Sequence, residues 1–150
     1  MRLETAGGGS SMFRQLLVGG AVSLFNIAVH SVAMAGVVFV FKRRQAVQDS
    51  LRFQVHLVLL MIAVVLVLNM AHLVEVAIWA LLYSLLGVAP SHVSPFYFAL
   101  VNFTTLGYGD VLPVASWEML GPLTAMNGIL LLGWSTAAIF AVLASQLRDR

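Results

Sequence analysis

Cysteine is absent from this sequence, so the chain has neither disulfide bonds nor thiolate ligands for a metal. Charged residues are scarce as well, because Asp, Glu, Lys and Arg together make up only 9% of the 150 residues. The basic residues cluster beside the ends of long apolar stretches and form no separate basic surface. The composition therefore excludes a disulfide framework and gives no support to nucleic-acid binding.

Apolar residues fill most of the chain. Hydrophobic residue types make up 61% of the sequence, and the mean hydropathy is +0.97. Three apolar stretches are long enough to cross a bilayer, and they cover residues 16–41, 53–86 and 117–147. Lipid offers no hydrogen-bond partner to an open backbone, so each stretch is expected to be a helix. The sequence predicts an all-α membrane protein with three transmembrane helices.

The segments before and after the first predicted helix are less apolar than the helix itself. Residues 1–15 are rich in Gly and Ser and are expected to form a mobile tail, whereas residues 42–52 form a basic loop. Ala33, Met34 and Ala35 imitate a signal-peptide cleavage site. However, the apolar run continues from there to Phe41, which favours an additional transmembrane helix over a cleaved signal.

A short segment separates the second and third long stretches. Gly87 and Pro90 are expected to end one helix, and Ser94 is a suitable N-cap for the next one, with Pro95 at the first helical position. The predicted helix covers residues 95–104 and is too short to cross a membrane. It must therefore enter and leave the bilayer on the same side.

A glycine-containing heptapeptide follows this short helix, and it consists of Thr104, Thr105, Leu106, Gly107, Tyr108, Gly109 and Asp110. Gly107 and Gly109 lack a Cβ atom and reach left-handed dihedrals at low cost. A backbone that alternates in handedness can direct successive carbonyl groups to one side. In a membrane, such carbonyls can replace the water around a potassium ion.

The heptapeptide resembles the selectivity filter of the potassium channel pore-domain family, with Leu106 where the common signature has Val. The resemblance covers residues 53–150 and implies an outer helix 53–86, a pore helix 95–104, a filter 104–110 and an inner helix 117–147. It also implies potassium binding by the filter residues Thr105, Leu106, Gly107 and Tyr108. Because the motif occurs once and a filter needs four loops, a homotetramer is expected.

Filter support is expected from Thr104, Gly109 and Asp110, with the Tyr97 hydroxyl as partner of Asp110.

Asn69, His72 and Glu75 lie on one face of the second helix. His72 and Glu75 are predicted to brace the pore helix or filter from behind and to make conduction sensitive to external pH. Alternatively, Glu75 is an interfacial carboxylate that reaches water. A metal site at His72 and Glu75 lacks an obvious third ligand.

Two glycines interrupt the inner helix. Gly128 lies near the position where the family often bends this helix, and Gly133 is a second hinge candidate. Close helix packing explains such glycines equally well. Asn127 and Ser135 are expected either to line a wet cavity or to form hydrogen bonds between helices.

Charge and aromatic residues predict the orientation. The basic groups after the first and third helices are expected in the cytoplasm, which places the N-terminus and the filter outside; these groups are Lys42, Arg43, Arg44, Arg52, Arg148 and Arg150. Trp79, Tyr83 and Trp117 are expected to lie in an outer aromatic belt.

These patterns predict a potassium-selective channel in a cell membrane, not an enzyme, with no cofactor besides the permeant ion. The alternatives are a non-selective cation channel, a subunit that conducts only with a partner, and a membrane enzyme that uses His72 and Glu75. Voltage sensing is excluded because no arginine occurs between Arg14 and Lys42. Gating is expected from the pore, the first helix, membrane lipid or an unknown regulatory protein.

Overall fold

Four α-helices and one 3₁₀ turn follow each other in the computed structural model, which describes residues 8–42 and 50–148 and the side chains of residues 11–39 and 54–146. The elements are α1 (Gly8–Lys42), α2 (Ser50–Leu86), α3 (Pro95–Phe103), the 3₁₀ turn η1 (Ala115–Trp117) and α4 (Leu120–Arg148). No strand occurs in the described ranges. The predicted all-α class is confirmed.

Helices α1, α2 and α4 each contain a segment that is long and apolar enough to cross a membrane. These segments are Ser11–Phe39, Gln54–Leu86 and Leu120–Gln146, with mean hydropathies of 1.9, 2.7 and 1.9. At about 1.5 Å per residue each exceeds the roughly 30 Å of a bilayer core, which allows for tilt. The chain is a multi-pass membrane protein, as predicted.

Several predicted boundaries are different in the structure. The tail expected over residues 1–15 is helical from Gly8 onward, because the apolar Met12 and Phe13 extend the first helix backward. Residues 1–7 lie outside the described residues. The inner helix begins at Leu120 instead of Trp117, which belongs to η1. Arg43, Arg44 and Arg150 also lie outside the described residues, so the orientation stays a prediction.

Helix α3 is the short helix that the sequence predicts. Ser94 occupies its N-cap position and Pro95 its first turn, but the Ser94 side chain makes no capping hydrogen bond. At the other end, Thr104 Oγ1 donates a hydrogen bond to the Leu100 carbonyl over 2.8 Å. With 9 residues the helix is only about 14 Å long, so it cannot span the membrane.

An aromatic core joins α3 to α2 and α4. Trp79 and Tyr83 on α2 are fully buried against Phe98, Phe103 and other apolar side chains. This corrects the prediction that both residues belong to an outer aromatic belt. The reason is that their polar atoms find partners inside the protein: Trp79 Nε1 donates to Asn127 and the Tyr83 hydroxyl bonds Thr124.

A second apolar cluster lies at the other end of the helices and joins Val37 on α1, Leu60, Val64 and Leu68 on α2, and Val142 on α4. Between the two clusters, the three long helices contribute a polar layer. It consists of the buried Asn26, His30, Glu75, Asn127 and Ser135 and of the partly buried His72. Helix α1 packs against both α2 and α4. It is therefore part of the bundle that supports α3.

Candidate functional site

The filter segment, residues 104–110, begins where α3 ends. The Thr105 amide donates to the Asn102 carbonyl and the Leu106 amide to the Val101 carbonyl, each over 3.0 Å. These two bonds use carbonyls that a helix end otherwise leaves without a partner. The start of the segment is thus fixed to the end of the short helix.

Every second residue of this segment has a left-handed backbone. The φ angle is 57° at Thr105, 46° at Gly107 and 80° at Gly109. The left-handed backbone predicted for Gly107 and Gly109 is confirmed. The missing Cβ removes the steric penalty of this conformation. Thr105 was not predicted to adopt one. A β-branched residue with positive φ is a genuine outlier, and such strain tends to occur at binding sites.

The whole segment from Thr104 to Asp110 is exposed in the single chain. Leu106 is 53% exposed and Tyr108 is 68% exposed. A cavity of about 670 Å³ lies between the segment, the end of α3 and the start of α4, and Asn102, Thr105, Gly107, Pro113 and Gly121 are among its lining residues. The described residues of one chain therefore provide no wall against which Leu106 and Tyr108 could pack.

Asp110 and Tyr97 both lie at the surface, and Tyr97 is 41% exposed. Among the described residues, no hydrogen bond joins the Tyr97 hydroxyl to the Asp110 carboxylate. Their pairing therefore stays a prediction.

Instead, a buried hydroxyl that sequence reasoning missed holds the short helix. Tyr83 Oη lies 2.7 Å from Thr124 Oγ1 on α4 and accepts a hydrogen bond of 3.4 Å from Asn102 Nδ2 on α3. One side chain of α2 thereby links α3 and α4. The only sequence feature that could have indicated this link is the presence of two polar residues, Asn102 and Thr124, in apolar surroundings.

Gly128 on α4 lies directly against the last residue of α3, Phe103. A Cβ atom at this position would overlap the carbonyl oxygen of Phe103 and would lie 2.7 Å from its carbonyl carbon. By contrast, a Cβ at Gly133 would meet no atom within 4 Å. Of the two explanations for Gly128, close packing is the one with direct structural support. The packing holds the last residue of α3, directly before the filter segment.

Asn127 and Ser135 form hydrogen bonds between helices. Asn127 Oδ1 accepts from Trp79 Nε1 over 3.0 Å and from Asn26 Nδ2 over 3.2 Å. Both Asn127 and Ser135 are buried inside the single chain. The structure therefore supports hydrogen bonds between helices over the lining of a wet cavity, because Asn127 Oδ1 and Ser135 Oγ have partners within the helix bundle. Asn127 Nδ2 is buried and has no partner among the described residues.

Glu75 is 0% exposed, and both of its carboxylate oxygens have histidine partners. His30 Nδ1 on α1 lies 2.9 Å from Oε1, and His72 Nδ1 lies 2.8 Å from Oε2. Ser135 Oγ on α4 lies 2.9 Å from His72 Nε2 and 3.4 Å from His30 Nε2. These four side chains, called the polar cluster below, connect the three long helices.

The polar cluster changes three expectations. Glu75 is not an interfacial carboxylate that reaches water, because it is buried. The predicted direct bracing is limited to a ring contact, since the centroids of His72 and Phe103 are 6.0 Å apart. The third ligand that a metal site lacked in the sequence is present as His30, which is 45 residues from Glu75 along the chain. Asn69 is exposed and lies outside the cluster.

One comparison with known protein families finds a match for this part of the chain. No curated protein and no solved structure matches the chain. A family model described as an ion channel matches residues 71–145, which is half of the chain and includes α3, the filter segment and most of α4. The chain therefore belongs to the ion channel family of two-helix pore domains.

Proposed function

We propose that the chain is the subunit of a homotetrameric, potassium-selective channel in a cell membrane. The observation that carries this proposal is the alternating handedness at Thr105, Gly107 and Gly109 in an exposed segment at the end of a short membrane helix. This backbone pattern is suited to presenting successive carbonyl oxygens to one ion. The ion would bind to the oxygens of Thr105, Leu106, Gly107 and Tyr108.

The mechanism needs no covalent chemistry. Carbonyl coordination offsets the hydration that potassium loses, and repulsion between ions at neighbouring sites keeps transit fast. The C-terminal end of α3 carries a partial negative charge from the aligned peptide dipoles. Four such ends around an axis would stabilise a cation at the inner side of the filter.

Surface properties of the single chain support assembly. Leu106 and Tyr108 are exposed on a non-helical segment, and at membrane depth such a backbone is tolerated only where protein or water, not lipid, surrounds it. The cavity beside the filter segment offers space for side chains of a neighbouring chain. Rings of carbonyls require several copies, and four is the number that potassium filters use.

We further propose that the N-terminus and filter face the outside and the C-terminus the cytoplasm, as the positive-inside rule predicts. Asp110 would then lie at the outer mouth and attract cations. Support for this orientation is limited to the charges beside the helix ends.

The testing experiment is the reversal potential of the purified protein in planar bilayers, with a potassium gradient opposed by sodium. We expect a value near the potassium equilibrium potential and block by barium. A reversal near zero with robust current would favour a non-selective cation channel. Absence of current from verified tetramers would favour a subunit that needs a partner.

Two alanine variants distinguish an effect on the filter from a general effect of backbone strain. Gly87 and Gly109 both have left-handed backbones, with φ of 61° and 80°, so alanine costs about 1–2 kcal/mol at either position. Only Gly109→Ala should abolish or alter potassium selectivity. Gly87→Ala should lower stability and leave the reversal potential unchanged, and an equal effect of both variants on selectivity would contradict the assignment.

A further inference from the structure

The polar cluster of His30, His72, Glu75 and Ser135 has no role in the conduction mechanism described above. Glu75 and His30 are fully buried, and the His72 side chain is 14% exposed. No Lys or Arg occurs in residues 15–39 or 54–146. Arg14, near the start of the first span, lies over the Trp117 ring. No described Lys or Arg side chain therefore pairs with the Glu75 carboxylate, although a buried charge without a partner is costly.

The hydrogen bonds of the cluster lead to the same conclusion. Four contacts connect the side chains in a closed ring, from Glu75 to His30, Ser135, His72 and back to Glu75. Each contact needs one hydrogen. An ionised carboxylate, two neutral imidazoles and one hydroxyl carry three hydrogens in total. The ring is therefore short of one hydrogen, which means that the site needs one additional cation.

The arrangement of donor atoms fits a metal ion. One ligand atom from each of His30, His72 and Glu75 lies within 4.8 Å of the other two. Each histidine Nδ1 lies 2.8–2.9 Å from a Glu75 oxygen, whereas ligand atoms of a tetrahedral zinc ion with bonds of 2.0–2.1 Å are about 3.3 Å apart. Opening each of these two pairs by about 0.5 Å would therefore make room for an ion.

Ser135 completes this arrangement as a support for the ligands. Both Nδ1 atoms face Glu75, so a metal bound there leaves the remaining hydrogen of each ring on Nε2. Both Nε2 atoms face the Ser135 hydroxyl oxygen, which has two lone pairs and can accept from both rings. A metal-ligating histidine usually donates its other ring hydrogen in this way.

We propose that His30, His72 and Glu75 bind one first-row divalent metal ion per chain, with zinc as the reference, and that Ser135 positions both rings. Two nitrogens and one carboxylate favour such metals over magnesium and calcium, which prefer oxygen ligands. The ion would fasten α1 to α2 beside Phe103, next to the start of the filter segment. The first helix would then supply a metal ligand, and this proposal does not depend on potassium selectivity.

The test is zinc binding by the purified full chain in detergent after removal of metal with a chelator. Isothermal titration and metal analysis should give one zinc per chain. His30→Gln and Glu75→Gln should each weaken binding at least about 100-fold, and Ser135→Ala about 10-fold, in line with losses of supporting groups at other sites. His92→Gln is the matched control, because His92 is exposed in the loop before α3, and its affinity should equal that of the wild type.

Cobalt(II) provides a measurement that needs no variant. The absorption bands of cobalt(II) in the wild-type protein should indicate a coordination number below six, with nitrogen and oxygen ligands. The aqueous ion, by contrast, is six-coordinate. The proposal is overturned if the wild type binds no zinc, in which case a proton supplies the missing charge. It is also overturned if a folded His30→Gln variant binds zinc as well as His92→Gln does. Potassium flux is measured separately, so a failure here leaves the proposed function intact.

Discussion

Replacing Gly128 by alanine tests the contact that holds the filter segment in place. The added methyl group would overlap the carbonyl oxygen of Phe103 and lie 2.7 Å from its carbonyl carbon and 3.0 Å from its Cα. Favourable contacts between carbon atoms have separations of about 3.5–4.0 Å. Helix α3 would have to move away from α4 by roughly 1 Å, and Thr104 and the filter segment would move with it.

The expected change in the stability of Gly128→Ala follows from two opposing effects. Overpacking in a well-packed interior costs about 1–3 kcal/mol, and the upper part of this range applies because the obstacle is backbone. The change from glycine to alanine within a helix recovers about 1 kcal/mol. We therefore expect Gly128→Ala to be destabilised by about 1–2 kcal/mol per chain.

Gly133→Ala is the matched control, because a Cβ at this position meets no atom within 4 Å. It should be neutral or stabilised by up to about 1 kcal/mol. Thermal unfolding of the purified proteins in detergent measures the difference, and potassium flux into liposomes measures the functional effect. Gly128→Ala should have the lower midpoint and the lower flux.

Equal midpoints for the two variants would refute the argument from close contact. If Gly128→Ala then changed open probability while stability and selectivity stayed the same, Gly128 would be a hinge instead. Reduced stability together with reduced flux would identify it as a packing position that keeps α3 against α4.

Two further predictions concern buried hydrogen bonds. Tyr83→Phe removes the bonds to Thr124 and Asn102 and should lower stability by about 1 kcal/mol. Tyr97→Phe changes an exposed position and should lower stability less; equal midpoints in thermal unfolding would contradict the role of Tyr83. Asn127→Ala leaves the Trp79 indole without its acceptor and should cost about 1–3 kcal/mol. Asn69→Ala, at an exposed position on α2, is its control, and a loss of similar size there would show that Asn127 is not special.

The sequence was sufficient for features that depend on local chemistry. Length and hydropathy predicted three membrane-spanning helices, because a bilayer requires a minimum apolar length. Ser94 and Pro95 predicted the start of the short helix α3. Gly107 and Gly109 predicted left-handed backbone, since only the missing Cβ makes it inexpensive. For the same reason Thr105 was missed, because nothing in its own chemistry favours a positive φ.

Only the tertiary structure decided which side of each long helix meets a partner. These helices are apolar on nearly all sides, since lipid and protein neighbours both accept apolar side chains, and so the sequence pattern does not distinguish the inner face. For this reason Trp79 and Tyr83 were expected at the membrane surface but are buried beside α3 and α4. In the same way, His30 and Glu75 are far apart in sequence, and only the packing of α1 against α2 brings their side chains together.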